Sequence, residues 1–138
     1  MITNIGFTGT RKAKFISQKR QDNLRHFLDH FIWGIGTGVD ITLHHGDCVG
    51  GDKIVHNIGL SLGYSIEIYP PSNDTLRAYC EGAFIVHPEK SYMPRNEDIV
   101  DASELLIAMP ATFIEQSKGG TWRTVRYARR KLIPVLFI

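Results

Sequence analysis

Three short segments of the sequence combine glycine with hydroxyl or cationic side chains, a combination suited to holding phosphate. They are Gly6–Arg11, His45–Asp52 and Lys118–Thr121, and a fourth loop, Ala108–Pro110, also follows an apolar run. Glycine lets backbone N–H groups approach an anion, threonine donates hydrogen bonds, and arginine grips a phosphate with two of them. In a chain that alternates strands and helices, such segments meet at the carboxyl edge of the sheet. We therefore predict a nucleotide-type pocket at that edge.

The first segment ends in Thr8-Gly9-Thr10-Arg11, directly after the first predicted strand. It is not the dinucleotide fingerprint, because Gly-x-Gly-x-x-Gly is absent, and no Gly-Lys-Ser/Thr closes any of the segments as in a P-loop. Taken alone, it is equally well explained as a tight turn that carries a surface arginine. The prediction depends on the repetition of such segments.

The second segment offers both amides and carboxylates. Gly50 and Gly51 at a predicted helix start present bare N–H groups to an anion. We expect Asp47 to contact a ribose or a base edge, and Asp52 to cap the helix. The alternative is that both aspartates only shape the turn.

The third segment precedes the last predicted helix, with Thr121 as its expected N-cap. Arg123, Arg126 and Arg130 share one face of that helix, which is conceivable as a nucleic-acid surface. We favour a solvated face, because neither interleaved aromatic residues nor other basic runs support the alternative.

Four further side chains are candidates for the pocket. Arg95 and Asn96 enter a predicted helix that begins near Pro94 and could face the ligand. Tyr92 and Trp122 are candidates to stack on a base, although for each ring taken alone a core or rim position is favoured.

Metal binding and thiol chemistry are not expected. His44, His45, Asp47, Cys48 and His56 are metal-ligand types, but their spacing matches no zinc pattern. Cys48 lies near a helix N-terminus, which lowers a thiol pKa, yet small buried cysteines are common.

The bulk properties indicate a soluble globular protein. The 138 residues fit one domain, 1–138, with 43% hydrophobic and 22% charged residues and a formal net charge of +2. Two cysteines make no disulfide framework, and neither a signal peptide nor a membrane-spanning run is indicated. We expect a cytoplasmic protein without a membrane partner.

The apolar pattern predicts strands over 2–7, 41–45, 65–69, 84–87, 104–109 and 134–138. Helices are predicted from Ser17 to the glycines at 34–38, from Asp52 to Gly63, over 76–83, from Pro94 to Val100, and over 122–131. Alternating strands and helices imply a mainly parallel sheet. The expected fold is a single-domain, Rossmann-like α/β three-layer sandwich.

The motifs of the chain, in the order in which they occur along the sequence, resemble those of the SLOG superfamily. This superfamily includes the nucleotide-binding domain of DprA and the LOG cytokinin-activating enzymes. The likeness is greatest to a small stand-alone branch related to YpsA. It rests on Gly-x-Thr-Gly-x-Arg at 6–11, His-Gly-Asp-Cys-x-Gly-x-Asp at 45–52, Arg-Asn-x-Asp-Ile-Val-Asp at 95–101 and Gly-Gly-Thr at 119–121. The resemblance implies a nucleotide-derived ligand bound by Thr8, Gly9, Arg11, Gly50, Gly51, Gly120 and Thr121.

LOG enzymes also split a base from its ribose 5′-monophosphate. Their Pro-Gly-Gly-x-Gly-Thr-x-Glu-Glu motif supplies a catalytic glutamate, whereas Gly120-Thr121 is followed here by Trp122-Arg123-Thr124. Without that carboxylate the reaction loses the group expected to stabilise the ribosyl cation or position water. Asp47 and Asp101 are the possible substitutes. A phosphoribohydrolase and a DprA-like DNA-binding module remain the alternatives to a protein that only binds.

We therefore expect a protein that binds a nucleotide-derived molecule, such as an ADP-ribose-like or cyclic nucleotide signal, for sensing or sequestration. No cofactor, metal or catalytic residue is assigned, and nucleic acid is not the expected partner. By analogy with relatives, we expect a homo-oligomer with a role in nucleotide signalling in anti-phage defence or counter-defence. The predicted ligand-binding residues are Thr8, Gly9, Thr10, Arg11, Gly46, Asp47, Gly50, Gly51, Tyr92, Arg95, Asn96, Pro110, Gly119, Gly120, Thr121 and Trp122.

Overall fold

The predicted apolar runs form six strands of one parallel sheet. A computed structural model describes residues 1–36 and 38–138. The strands are β1 (Asn4–Gly9), β2 (Thr42–His45), β3 (Ser65–Ile68), β4 (Ile85–Val86), β5 (Leu105–Met109) and β6 (Val135–Phe137). Their order is β4-β3-β2-β1-β5-β6, and every pairing is parallel. The α/β fold with a mainly parallel sheet is thus confirmed.

Within the described residues, four α-helices cover the two faces of the sheet. They are α1 (Gln18–Ile35), α2 (Gly51–Leu62), α3 (Tyr92–Asp101) and α4 (Gly120–Arg130). Alternate residues of β5 point to opposite faces: Ile107 and Met109 join the core beneath α1 and α2, whereas Leu106 and Ala108 pack with residues of α3 and α4. The helices therefore form two outer layers, which completes the predicted three-layer sandwich.

The direction of strand addition reverses between β1 and β5. From β1 the chain builds outward through β2, β3 and β4, and it then returns to place β5 on the other side of β1. At such a switch point the loops that follow the two strands leave in opposite directions and open a crevice at the carboxyl edge of the sheet.

The helix predicted over 76–83 is wrong. A 3₁₀ turn occupies Asp74–Leu76, and the following backbone bonds to the loop after β2 instead of to itself. The N–H groups of Ala78 and Cys80 donate to the main-chain oxygen of Asp47 and to its Oδ1 at 2.7 and 2.8 Å, respectively. Tyr79 and Gly82 also have positive φ angles of 53° and 86°, which a right-handed helix excludes. The other predicted elements are present, with ends shifted by one or two residues.

Candidate functional site

A cavity of about 690 Å³ opens at the switch point. It lies between the β1–α1 loop, the first turns of α3 and α4, and the loop after β5. Of the predicted site residues, the following line it: Thr8, Gly9, Thr10, Arg11, Gly46, Tyr92, Arg95, Asn96, Pro110, Gly119, Gly120, Thr121 and Trp122. Stretches of backbone that are distant in sequence therefore converge on one hollow.

The β1–α1 loop is held in place mainly by its backbone. The N–H of Thr10 donates to the carbonyl oxygen of Met109 at 3.0 Å, and its side-chain hydroxyl accepts from the N–H of Lys12 at 3.2 Å. Arg11 is exposed, and its guanidinium lies 5.1 Å from the centre of the Tyr92 ring. That distance is within the range of a cation–π contact, so Tyr92 helps to position the cation.

The first turn of α4 presents unpaired backbone donors. Gly119 is the N-cap, with φ of +99° and no side-chain cap. The N–H groups of Gly120, Thr121 and Trp122 have no acceptor within the helix, because the first turn of any helix lacks one. The predicted capping role of Thr121 is wrong, since this residue lies inside the helix. With no acidic residue in this turn, the positive end of the helix dipole is uncompensated.

Arg95 is a buried clamp that also orients a neighbour. Its side chain is 5% exposed, and Nη1 donates to the carbonyl oxygens of Gly46 and Tyr69. Its Nε donates to Oδ1 of Asn96 at 2.7 Å. The amide Nδ2 of Asn96 lies 3.8 Å from the point where a Cβ on Gly120 would stand. Through this bond Arg95 orients the Asn96 side-chain amide, a hydrogen-bond donor, toward the start of α4.

Three predicted residues of the second glycine segment do not line the cavity. The N–H of Gly51 donates to the carbonyl oxygen of Thr10 at 2.9 Å, and Gly50 packs directly against the backbone of Arg11. Asp47 is fully buried, and its carboxylate accepts from Arg77 Nε at 2.9 Å. These contacts support the β1–α1 loop, so the Gly51 N–H and the Asp47 carboxylate do not reach a ligand in the cavity, whereas Gly46 and Asp52 of the same segment line it.

Asp52 is the acidic residue of this segment that lines the cavity. The predicted cap role is wrong here too, because Gly50 is the N-cap of α2 and Asp52 Oδ2 accepts instead from the N–H of Cys48 at 3.1 Å. Burial raises the pKa of Asp52 to about 6, while the charge of Arg95 acts in the opposite direction.

Cys48 is not arranged as a nucleophile. Burial, followed by the charge of Asp52, raises the pKa of its thiol, which opposes the lowering expected from a helix N-terminus. Among the described residues, no group of three or more His, Cys, Asp or Glu side chains is arranged to hold a metal ion.

Trp122 forms a wall of the cavity and does not offer a free stacking face. It is 6% exposed, and its ring lies 5.4 Å from that of Phe137 within an apolar cluster that includes Ala108 and Val125. Its indole N–H has no hydrogen-bond partner in the described part of the chain.

Several lining residues were missed by sequence reasoning. The missed side chains include Lys12, Phe15, Ser91, Met93, Thr112, Gln116, Lys118 and Arg123. Lys12 directly follows the first segment and Lys118 is the first residue of the third, so adjacency to the predicted site residues was a usable signal for both. No local pattern marks Phe15, because its place depends on how the 3₁₀ turn Ala13–Phe15 folds over the cavity.

The predicted basic face of α4 is divided. Arg123 lines the cavity, whereas Arg126 is tied to the preceding loop by bonds to the carbonyl oxygens of Gln116 and Ser117. Arg130 lies over the ring of Tyr127. These three arginines therefore do not act as one uniform cationic surface.

No helix of the described residues is long and apolar enough to cross a bilayer.

Solved structures with the same fold include carrier and DNA-processing proteins. No protein-family model matches the sequence, and no curated protein matches it. The molybdenum cofactor binding protein of Rippkaea orientalis superposes with a TM-score of 0.70 at 20% identity, covering 99% of this chain and 76% of that one. The Moco carrier protein of Chlamydomonas reinhardtii gives 0.69 at 20% identity, covering 100% and 76%. DprA of Helicobacter pylori, a single-stranded DNA binder, gives 0.66 at 17% identity, covering 97% and 64%.

At these identities the likeness shows the fold alone. It confirms the Rossmann-like architecture that the SLOG resemblance predicted. In these similar structures the same fold binds a small-molecule cofactor or single-stranded DNA.

Proposed function

We propose that the protein binds a nucleotide or nucleotide-derived molecule in this cavity and thereby senses or sequesters it. The charge of the lining carries the proposal. Five of the described lining side chains are cationic and one is a carboxylate; the cations are Arg11, Lys12, Arg95, Lys118 and Arg123. A concave surface of one sign concentrates ligands of the other sign.

The start of α4 is the proposed phosphate site. Its free N–H groups and the Asn96 amide are donors without a competing carboxylate in the same turn. Lys118 and Arg123 flank this turn in sequence and also line the cavity. Phosphate oxygens accept hydrogen bonds from several donors at once, so this donor set suits a phosphate better than a singly charged carboxylate.

The aromatic side of the cavity is the proposed site for the base. Phe15 and Tyr92 both line the cavity, and 43% of the Phe15 surface is exposed. An exposed ring at the mouth of a polar cavity is suited to stacking on a flat heterocycle.

Binding without turnover is the proposed activity. The position of the LOG glutamate is not acidic here, and neither of the two candidate substitutes lines the cavity: Asp47 is paired with Arg77, and Asp101 accepts from the Tyr127 hydroxyl at 2.9 Å. By analogy with stand-alone SLOG domains, we extend the proposal to a nucleotide signal held by a homo-oligomer in phage–bacterium conflict.

The test begins with mass spectrometry of any small molecule released when the purified protein is denatured. Isothermal titration with nucleoside monophosphates, ADP-ribose and cyclic nucleotides then measures affinity. We expect Arg11→Gln to weaken binding about tenfold, because a charge-assisted contact is lost. Arg25→Gln, which makes the same charge change on α1 outside the lining, should leave affinity unchanged.

Two outcomes would contradict the proposal. Steady release of free base from a monophosphate would make the protein an N-glycosidase. Tight, strongly salt-dependent binding of oligonucleotides, with no binding of mononucleotides, would favour the DNA-binding alternative.

A further inference from the structure

Asp52 is an anomaly in the charge pattern of the cavity. It is the single carboxylate of the described lining, and it is 8% exposed. None of the ion pairs within residues 1–36 and 38–138 includes it. The neighbouring cation, Arg95, directs its Nη1 to the carbonyl oxygens of Gly46 and Tyr69 instead. A buried carboxylate without a paired cation destabilises the fold unless hydrogen bonds compensate its charge.

The backbone compensates this carboxylate only in part. Its Oδ2 accepts a hydrogen bond from the Cys48 N–H at 3.1 Å, and the nearby backbone N–H of Gly46 also favours its charged form. A carboxylate has two oxygens and about four lone-pair directions. Capacity for at least one further donor therefore remains on a side chain that lines the cavity.

The chemistry of a phosphorylated ligand determines which of its parts can use that capacity. A phosphate presents negative charge and acceptor oxygens, so a carboxylate repels it. A sugar hydroxyl is a neutral donor, and a carboxylate is its strongest acceptor among the protein side chains.

We propose that Asp52 accepts a hydrogen bond from a sugar hydroxyl of the bound molecule, so that the site selects phosphates bearing an intact ribose. This inference rests on the proposed function and adds a second recognition point to it. The start of α4 holds the phosphate with donors, and Asp52 holds the sugar with an acceptor. The sequence suggested that Asp47 contacts the ribose, and this proposal assigns that contact to Asp52 instead.

The test compares each of the four ribonucleoside 5′-monophosphates with its 2′,3′-dideoxy counterpart, on the wild-type protein and on Asp52→Asn. Asparagine keeps an oxygen that can accept from the Cys48 N–H, so the loop is preserved. In the wild type we expect the ribose form of the preferred nucleotide to bind at least about tenfold more tightly, as for hydrogen bonds to charged groups. In Asp52→Asn the preference should shrink to about threefold or less.

A second readout excludes a purely structural role for Asp52. Titrations near pH 6, in two buffers of different ionisation enthalpy, count the protons released on binding. A donor that bonds to the ionised carboxylate drives its deprotonation, so the wild type should release up to about half a proton more than Asp52→Asn. Arg95, Asp47 and Cys48, the other ionisable groups that act on this site, are common to both proteins, as is the ligand phosphate.

The outcomes separate this inference from the function on which it rests. If ribose and dideoxy forms bind equally, or if Asp52→Asn keeps the full preference and proton release, Asp52 is structural and the inference is overturned while nucleotide binding stands. If no nucleotide of either form binds, both the inference and the proposed function are wrong.

Discussion

The N–H of Gly51 donates a hydrogen bond of 2.9 Å to the carbonyl oxygen of Thr10. This bond joins the first residue of α2 to the loop that follows β1, and it uses an amide that would otherwise be available to an anion. The second glycine segment therefore supports the first, which forms one wall of the cavity, and it adds Gly46 and Asp52 to the lining.

Gly50 is the position where this arrangement is least tolerant of change. It has φ of +83°, and a Cβ there would come within 2.6 Å of the backbone of Thr10 and Arg11. We expect Gly50→Ala to lower the free energy of unfolding by about 2–5 kcal/mol, since backbone strain and steric overlap add. Urea denaturation measures the change.

Gly63→Ala is the matched control, because Gly63 also has a positive φ but no atom within 4 Å of its Cβ position. It should lose only the conformational part, about 1 kcal/mol. Equal losses for the two variants would show that the Gly50 contact is unimportant.

Arg20 links two segments that line the cavity to the residue that follows β6. Its guanidinium donates to the carbonyl oxygens of Phe15, Pro110 and Ile138. We expect Arg20→Gln to destabilise the protein by about 1–3 kcal/mol and to accelerate amide exchange in the loops at 11–16 and 110–119. Hydrogen-exchange mass spectrometry resolves those loops. Lys19→Gln, an exposed neighbour, is the control, and unchanged exchange in Arg20→Gln would refute the linking role.

Asp52 should give stability a specific dependence on pH. Its folded pKa of about 6 exceeds its ordinary 3.8, so between these values the folded protein holds the proton more tightly than the unfolded chain. Its contribution to stability is thus largest below about pH 4 and falls as pH rises to about 6, by roughly 3 kcal/mol. The unfolding free energy of Asp52→Asn, relative to wild type, should rise by that amount over the same interval. Parallel pH profiles of the two proteins would contradict the prediction.

Two hydrogen-bonded histidines, His45 and His56, anchor the segment that follows the 3₁₀ turn Asp74–Leu76. The Asp47 N–H donates to His45 Nδ1 at 3.0 Å, so the neutral His45 ring carries its proton on Nε2 and donates to His56 Nδ1 at 2.9 Å. The Nε2–H of His56 then donates to the Glu81 carbonyl oxygen at 2.7 Å. Burial, followed by the charge of His56, holds the pKa of His45 well below its usual 6.5, consistent with a neutral ring.

We expect His56→Leu to lose about 1–3 kcal/mol of unfolding free energy, because the buried His45 N–H is left without an acceptor. His26→Leu, a change on the exposed face of α1, should stay within about 0.5 kcal/mol. Thermal and urea unfolding at pH 7.5 compare the two variants. If their stabilities are indistinguishable, the hydrogen bonds of His56 do not contribute measurably to the free energy of unfolding.

The fold could be predicted because the spacing of apolar residues within each strand and most helices identifies that element without information from the rest of the chain. The helix predicted over 76–83 failed for a reason that no local pattern contains. Its donors are captured by the Asp47 carbonyl and carboxylate, which lie some thirty residues earlier in the sequence. Tertiary hydrogen bonds override helix propensity in such a segment.

The choice between Asp47 and Asp52 was likewise beyond the sequence. The two carboxylates lie in one glycine-rich loop, and the direction of each side chain decides its role. Asp47 adopts φ of 56°, and its side chain meets Arg77 and the Cys80 N–H in the interior. Asp52, one residue into α2, remains at the cavity. Arg11 and the glycines of the first and third segments needed no such information, since their backbone position alone brings them to the carboxyl edge.

The pairing of β1 with β5 also has a kinetic consequence. Partners such as Ile5 and Leu105 are a hundred positions apart, so the hollow between the two strands is absent from any partly assembled chain. Long-range parallel pairing is slow, because a large loop must close before the contacts form. During refolding, the ability to bind a ligand in the cavity should therefore develop late. A tightly bound ligand would then shift the population toward the native state by mass action.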